Sequence, residues 1–140
     1  MKIAIVGTSL VYENEIFQVQ QLCYEILKKY KPPETTIISG GAKGVDTIAL
    51  NMALSNGFAI KEILPLGYTW QFFKKRNLAI VKECDELFCI TTPVHSIKCF
   101  HHSTWQDHEK TAGCWTMNKA IEANKPCKFL MIPTLKTQQR

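Results

Sequence analysis

Short β-branched runs alternate along this chain with longer stretches whose apolar residues recur every three or four positions. The runs Ile3-Ala4-Ile5-Val6, Thr36-Ile37-Ile38 and Leu87-Phe88-Cys89-Ile90 are bounded by turn residues. That is the pattern of strands buried on both faces of a parallel sheet. Strands are expected over about residues 2–7, 35–39, 58–64, 86–91 and 127–132. Between the first two, Ile16, Val19, Cys23, Ile26, Leu27 and Tyr30 line one face of a helix over about 13–30, closed by Pro32-Pro33. A second helix opens near Gly44, shares Val45, Ile48, Ala49, Met52 and Ala53 on one face, and ends at Asn56-Gly57. A third covers about 69–82, and a fourth runs from Thr111 or Gly113 to about Asn124. The alternation predicts an α/β, Rossmann-like parallel sheet of about five strands with helices on both faces. Right-handed crossovers and one reversal of winding give the order 3-2-1-4-5. Residues 1–133 read as one domain and 134–140 as a tail.

Composition narrows the class. The chain has 140 residues, 46% of them apolar and 21% charged, which suits an ordinary globular domain. No window approaches the roughly 18 uninterrupted apolar residues of a membrane span. The chain enters a strand at once, so a cytoplasmic protein without a signal peptide is expected. Its net charge of +5 tilts toward anionic partners without selecting one. Six cysteines are present but none is spaced C-x-x-C, so free thiols are expected rather than a zinc ribbon or a redox pair.

Candidate chemistry gathers at the ends of the first two strands. Ser39-Gly40-Gly41-Ala42-Lys43-Gly44-Val45-Asp46 places three glycines before a helix. Successive N–H groups of such a turn can converge on an anion, with Ser39 and Lys43 adding a hydroxyl and a charge. The bland alternative is a tight strand-to-helix turn in which Asp46 serves only the helix N-terminus. Gly7-Thr8-Ser9 follows the first strand, and the inferred order sets it beside the second glycine turn. On the third helix Arg76 and Asn77 can hold phosphate and a sugar or base edge, whereas Lys74 and Lys75 read as a solvated face. Thr111 and Gly113 open the fourth helix at the same sheet edge, as a cap or as a further pocket wall. The intervening segment 93–110 contains His95, Cys99, His101, His102, Trp105, Asp107 and His108. Without an established ligand spacing it reads as a lid over the site, not a metal centre. No cofactor is expected.

Together, Ile5-Val6-Gly7-Thr8-Ser9, the glycine segment ending at Asp46, Arg76-Asn77 before Cys84-Asp85, and Thr111-Ala112-Gly113 before Ala120 resemble the SLOG superfamily. This group includes YpsA-related proteins, DNA-processing protein A and the LOG or lysine-decarboxylase-like proteins, and the match looks closest to the stand-alone YpsA-related branch. The resemblance implies a pocket for a nucleotide or nucleotide-derived ligand, with phosphate on the glycine loops. A sensor, carrier or sequestering role is the leading expectation, and the aromatic content of segment 93–110 makes a homo-oligomer the expected assembly. The resemblance also brings in view an N-glycosidase acting on nucleoside monophosphates. Arg76 matches that enzyme's arginine, but its glutamate position falls on Met117, which can neither carry charge nor exchange a proton. Asp46, Asp107 or Glu109 would have to act instead, so Arg76 and Asp46 are the weak catalytic candidates. The remaining alternative is single-stranded DNA binding, as in DNA-processing protein A. No basic stripe with interleaved aromatics is legible in the sequence to favour it.

Overall fold

The computed structural model describes residues 1–92 and 112–132. Five strands, β1 (Lys2–Gly7), β2 (Thr36–Ser39), β3 (Ala59–Glu62), β4 (Glu86–Thr91) and β5 (Cys127–Met131), form one sheet in the order β3-β2-β1-β4-β5. Every pairing is parallel. The expected order is therefore the observed one. The helices are α1 (Ile16–Leu27), α2 (Val45–Ser55), α3 (Trp70–Glu83) and α4 (Ala112–Glu122) among the described residues.

Alternation along β1 divides the core into two. Ile3 and Ile5 face α1 and α2, where they meet Val19, Cys23, Ile26, Leu27, Val45, Ala49 and Ala53. Ala4 and Val6 face the opposite layer, packed with Ile80, Val81 and Cys84 of α3 and its end and with Cys114, Met117 and Ala120 of α4. Helices thus cover both faces, and the winding reverses at β1. The strand ends at that reversal, in particular β1, β2 and β4, open toward the N-termini of α2 and α4.

Three boundaries differ from expectation. The first helix is preceded by a separate 3-10 turn, Glu13–Glu15, and α1 ends at Leu27. Amides of Lys29 and Tyr30 bond three residues back, tightening the last turn before the prolines. Ile16, expected on the buried stripe, is over a third exposed because α1 begins there, at the sheet's margin. β3 is a short edge strand, and Leu64, expected within it, lies beyond its end and is exposed. The predicted lid, Thr111 and the tail fall outside the described residues.

Glycine acts here chiefly through what it omits. A Cβ on Gly7 would lie 2.1 Å from the Ile90 carbonyl oxygen and 2.8 Å from the Val45 side chain. One on Gly113 would lie 2.6 Å from the Cα of Gly7. β1 therefore meets the backbone of α4 and the first side chain of α2 with no room for a Cβ. Gly57, by contrast, has φ +83 and open space around it. Gly7→Ala is expected to cost about 3 kcal/mol or more, as overpacking against backbone, and Gly57→Ala only about 1 kcal/mol, for its left-handed φ. Urea denaturation of both variants checks the contrast, and equal losses would contradict it.

Candidate functional site

The rim at the C-terminal end of β1 is built by side chains and amides that mostly bind one another. Ser39, fully buried, donates its hydroxyl to the Ile5 carbonyl at 2.7 Å and so ties β2 to β1. The Thr8 hydroxyl accepts the Leu10 amide at 3.2 Å, shaping the turn after β1. Gly44, at φ +81, lies against the Thr8 carbonyl, which accepts the first amide of α2, that of Val45, at 3.1 Å. Ser39, Thr8, Gly44 and Val45 thus support the rim and line neither the inner recess nor the outer cleft described below.

The glycine turn does form a convergent cradle, and Asp46 occupies it. Its Oδ2 accepts the Gly40 amide at 3.2 Å, and the nearby amides of Ala42 and Gly7 favour the ionised carboxyl. A helix N-terminus with unpaired amides attracts negative charge, and this helix supplies its own from its second residue. Burial dominates the titration of Asp46 and pushes it from 3.8 to about 7, against the opposing pull of the Arg76 charge and the three amides.

Arg76 is also buried, at 8% exposure, and every contact on it is specific. Nη1 donates to the Gly40 carbonyl, Nε donates to Asn77 Oδ1 at 2.6 Å, and the guanidinium lies 5.7 Å from the Phe73 ring centroid. Burial lowers its pKa while Asp46 raises it, but an arginine stays charged. The bond to Arg76 fixes which end of the Asn77 amide is the acceptor. Asn77 Nδ2 is left buried without a hydrogen-bond partner.

Among the described residues Arg76 walls three cavities, two of which border the glycine turn. An inner recess of about 40 Å³ is lined by Gly7, Ser9, Ala42, Asp46, Asn77 and Gly113, with Thr116 of α4 and Val6 completing it. An outer cleft of about 510 Å³ runs along Gly40, Gly41, Ala42 and Lys43 to Leu64, Pro65, Tyr68 and Phe73. The recess admits a single polar group; the cleft has the size of a small-molecule site. Among the described residues no group of three His, Cys, Asp or Glu side chains converges as a metal site.

Two features escape a reading by motif. Thr116 carries no signature. Tyr68, 92% exposed, and Phe73 flank the cleft because the segment after β3 leaves the same sheet edge as the glycine turn. The apolar run from Leu64 to Tyr68, directly beyond a strand end, was the available signal. Lys43 and the buried Arg76 thus share one cleft with Tyr68 and Phe73.

A family model for DNA recombination-mediator protein A matches residues 1–116. The chain belongs to that family. Among solved structures it resembles DNA processing protein A from Streptococcus pneumoniae, at TM-score 0.66 and 18% identity over 96% of this chain. It spans about half of that protein, 51% of its length. The structural-genomics target TM1055 matches at TM-score 0.61 and 15% identity, over 90% of this chain and 71% of that one. DNA processing protein A from Helicobacter pylori, described for its single-stranded DNA binding mode, matches at 0.51 and 16%, over 91% and 74%. No curated protein matches. Family and fold together support membership of the SLOG-type Rossmann superfamily, and no helix among the described residues is long and apolar enough to cross a membrane.

The raised Asp46 carboxyl makes stability fall with pH. Between about 4 and 7 the folded protein retains a proton that the unfolded chain has released, so unfolding gains relative to folding as pH rises. The contribution is intact below the unfolded value and lost above the folded one. Asp46→Asn is expected to flatten the stability profile across that window, measured by urea denaturation at successive pH values. Parallel profiles for variant and wild type would contradict the burial-dominated titration.

Proposed function

We propose that this protein binds single-stranded nucleic acid, seating a nucleotide unit in the outer cleft. The observation that carries the reading is one open cleft in which the Lys43 and Arg76 cations share walls with the Tyr68 and Phe73 rings. Cations hold phosphodiesters and rings stack on bases, and neither contact requires a particular sequence. The net charge of +5 favours encounter with a polyanion. The family match and the Helicobacter pylori neighbour, whose own description names single-stranded DNA, support the same class.

A second reading, a free nucleotide or nucleotide-derived ligand, is supported by the enclosed recess and the unpartnered Nδ2 of Asn77. It is the reading that the YpsA-related branch would imply. The backbone of Gly40–Lys43 then flanks the phosphate, while Ser9, Asn77 and Gly113 meet the remainder of the ligand. An N-glycosidase has less support. Met117, at the position of the required glutamate, is buried in the core with Cys114 and Ala120, and Asp46 is the carboxylate that lines the recess.

Fluorescence anisotropy with a labelled oligothymidylate tests the proposal. Tyr68→Ala and Lys43→Ala alter exposed residues and leave the fold alone. Tyr68→Ala is expected to weaken binding by about 1–3 kcal/mol. Lys43→Ala is expected to lower the slope of affinity against salt by about one. Lys29→Ala, beyond the opposite end of α1, changes neither. Absence of binding at low salt, or binding indifferent to Tyr68, overturns the reading; a mononucleotide that competes stoichiometrically favours the second.

A further inference from the structure

The carboxyl of Asp46 stands where an anionic ligand of a glycine cradle would stand. Amides of Gly7, Gly40 and Ala42 converge on it, and the Arg76 charge acts on it from α3. The residue is 5% exposed, yet it faces the inner recess rather than solid core. Beside it Asn77 is 4% exposed, its Nδ2 lacking any acceptor, and both residues line the same 40 Å³ space. An ionised carboxylate there has two consequences. It takes up the amides that would otherwise hold a phosphate oxygen, and it repels any second anion brought within a few ångströms at low dielectric.

We propose that Asp46 is the charge-selecting residue of this rim: ionised, it reserves the inner recess for a neutral hydrogen-bonding group and leaves phosphate to the outer cleft, and neutralised, it yields its three amides to an anion. Asn77 Nδ2 supplies the donor for whichever group enters. The inference deepens the nucleic-acid reading, on which it rests for the identity of the natural anion.

The surroundings make Asp46 the group that decides. From α3 the facing charge is Arg76, which remains protonated throughout the useful pH range. The glycine turn contributes Lys43, which lines the outer cleft, and the end of β3 contributes Glu62, whose Oε2 lies beside Gly41. From α4 the facing residues are Gly113 and Thr116, and from the turn after β1 they are Gly7 and Ser9, all uncharged. The histidines at 95, 101, 102 and 108 lie outside the described residues. Histidine as a residue type ordinarily changes charge between pH 5 and 8, so the test is a difference between variants.

An oligothymidylate with hydroxyl ends is a suitable anion, since its phosphodiesters do not titrate between pH 6 and 8. If the inner amides take a phosphate oxygen only when Asp46 is neutral, wild-type affinity falls from pH 6 to pH 8 by up to about ten-fold, the limit set by the neutral fraction. Asp46→Asn is expected to bind at pH 8 as tightly as wild type at pH 6, and to remove that part of the pH dependence. Calorimetry of the wild type in buffers of differing ionisation enthalpy is expected to show proton uptake on binding near pH 7.5. Superimposable pH profiles for the two proteins, or no proton uptake, overturn the inference.

Sulfate separates this inference from the reading on which it rests. As a small anion without titration in this range, it is expected to raise the Tm of Asp46→Asn at pH 8 and leave wild type unmoved. That result with no oligonucleotide binding retains charge selection and rejects strand binding. Equal sulfate responses in both proteins reject charge selection whatever the oligonucleotide does. Should Asp46→Asn not fold, the wild type is measured at pH 6 and pH 8, where a sulfate-induced Tm shift confined to pH 6 is expected and equal shifts overturn the proposal.

Discussion

The end of β1 can be approached by two helices only because no side chain stands there. Gly7 and Gly113 meet with Cα against backbone, and Val45 closes on Gly7 from the other layer. The sheet continues past this point, since the Thr8 amide donates to the Ile90 carbonyl at 3.2 Å. Two helix N-termini and two strand ends are thereby drawn into a space that side chains would otherwise fill. The small residues Ala4 and Ala120 in the α3–α4 layer serve the same close approach. Close-packed interiors leave little slack, so this geometry is set by the smallest residues present.

Such an approach gathers unpaired amides, and their positive field must be met. Asp46 meets it from inside, and Arg76 then balances Asp46. Neither charge is stable there alone: an isolated buried ion costs several kcal/mol, and each has the other together with hydrogen bonds to the turn. Arg76 also holds the Gly40 carbonyl and the Asn77 amide, so the turn after β2 and the start of α3's buried face are joined through one guanidinium. A Cβ on Gly40 would lie 2.7 Å from Nη1, which explains the glycine at that position without a ligand. The glycine segment is therefore first a device for packing and charge balance. Its capacity for a ligand lies in the residual surface, where the outer face of the same turn borders the cleft.

Periodicity was enough to read the sheet. Short β-branched runs and one reversal of winding leave few topologies, and strand order followed. Edge and end effects were less legible: β3 is shorter than its apolar run because Leu64 lies beyond the strand end, and α1 starts later because its first turn winds as 3-10. At the site, the motifs single out Gly7, Ser9, Gly40, Gly41, Ala42, Lys43, Asp46, Arg76, Asn77 and Gly113, and these residues line the recess or the cleft. Direction was not legible. Nothing in the residue string says that Ser39 bonds Ile5 or that Asp46 turns back onto its own cradle, because each depends on neighbours brought in by the fold. The exposure of Tyr68 cannot be inferred from the apolar run that contains it.

Placement of the two cavities on either side of Arg76 bears on what kind of partner suits them. A guanidinium fixed by Gly40 and Asn77 has lost little freedom left to lose, so a phosphate that meets its remaining N–H groups gains a preorganised contact. Tyr68 is different: it is almost fully exposed and lies on a loop, free to adjust to any flat ring. A rigid anion contact beside an adaptable stacking surface fixes the backbone of a ligand while tolerating its bases. A pocket selective for one base would need the reverse, with hydrogen-bonding groups held rigidly around the ring. The polar groups that are held rigidly here, Asp46 and Asn77, face a recess too small for a base. The division of labour at this rim therefore favours a strand read through its backbone over a particular nucleobase read by its edge.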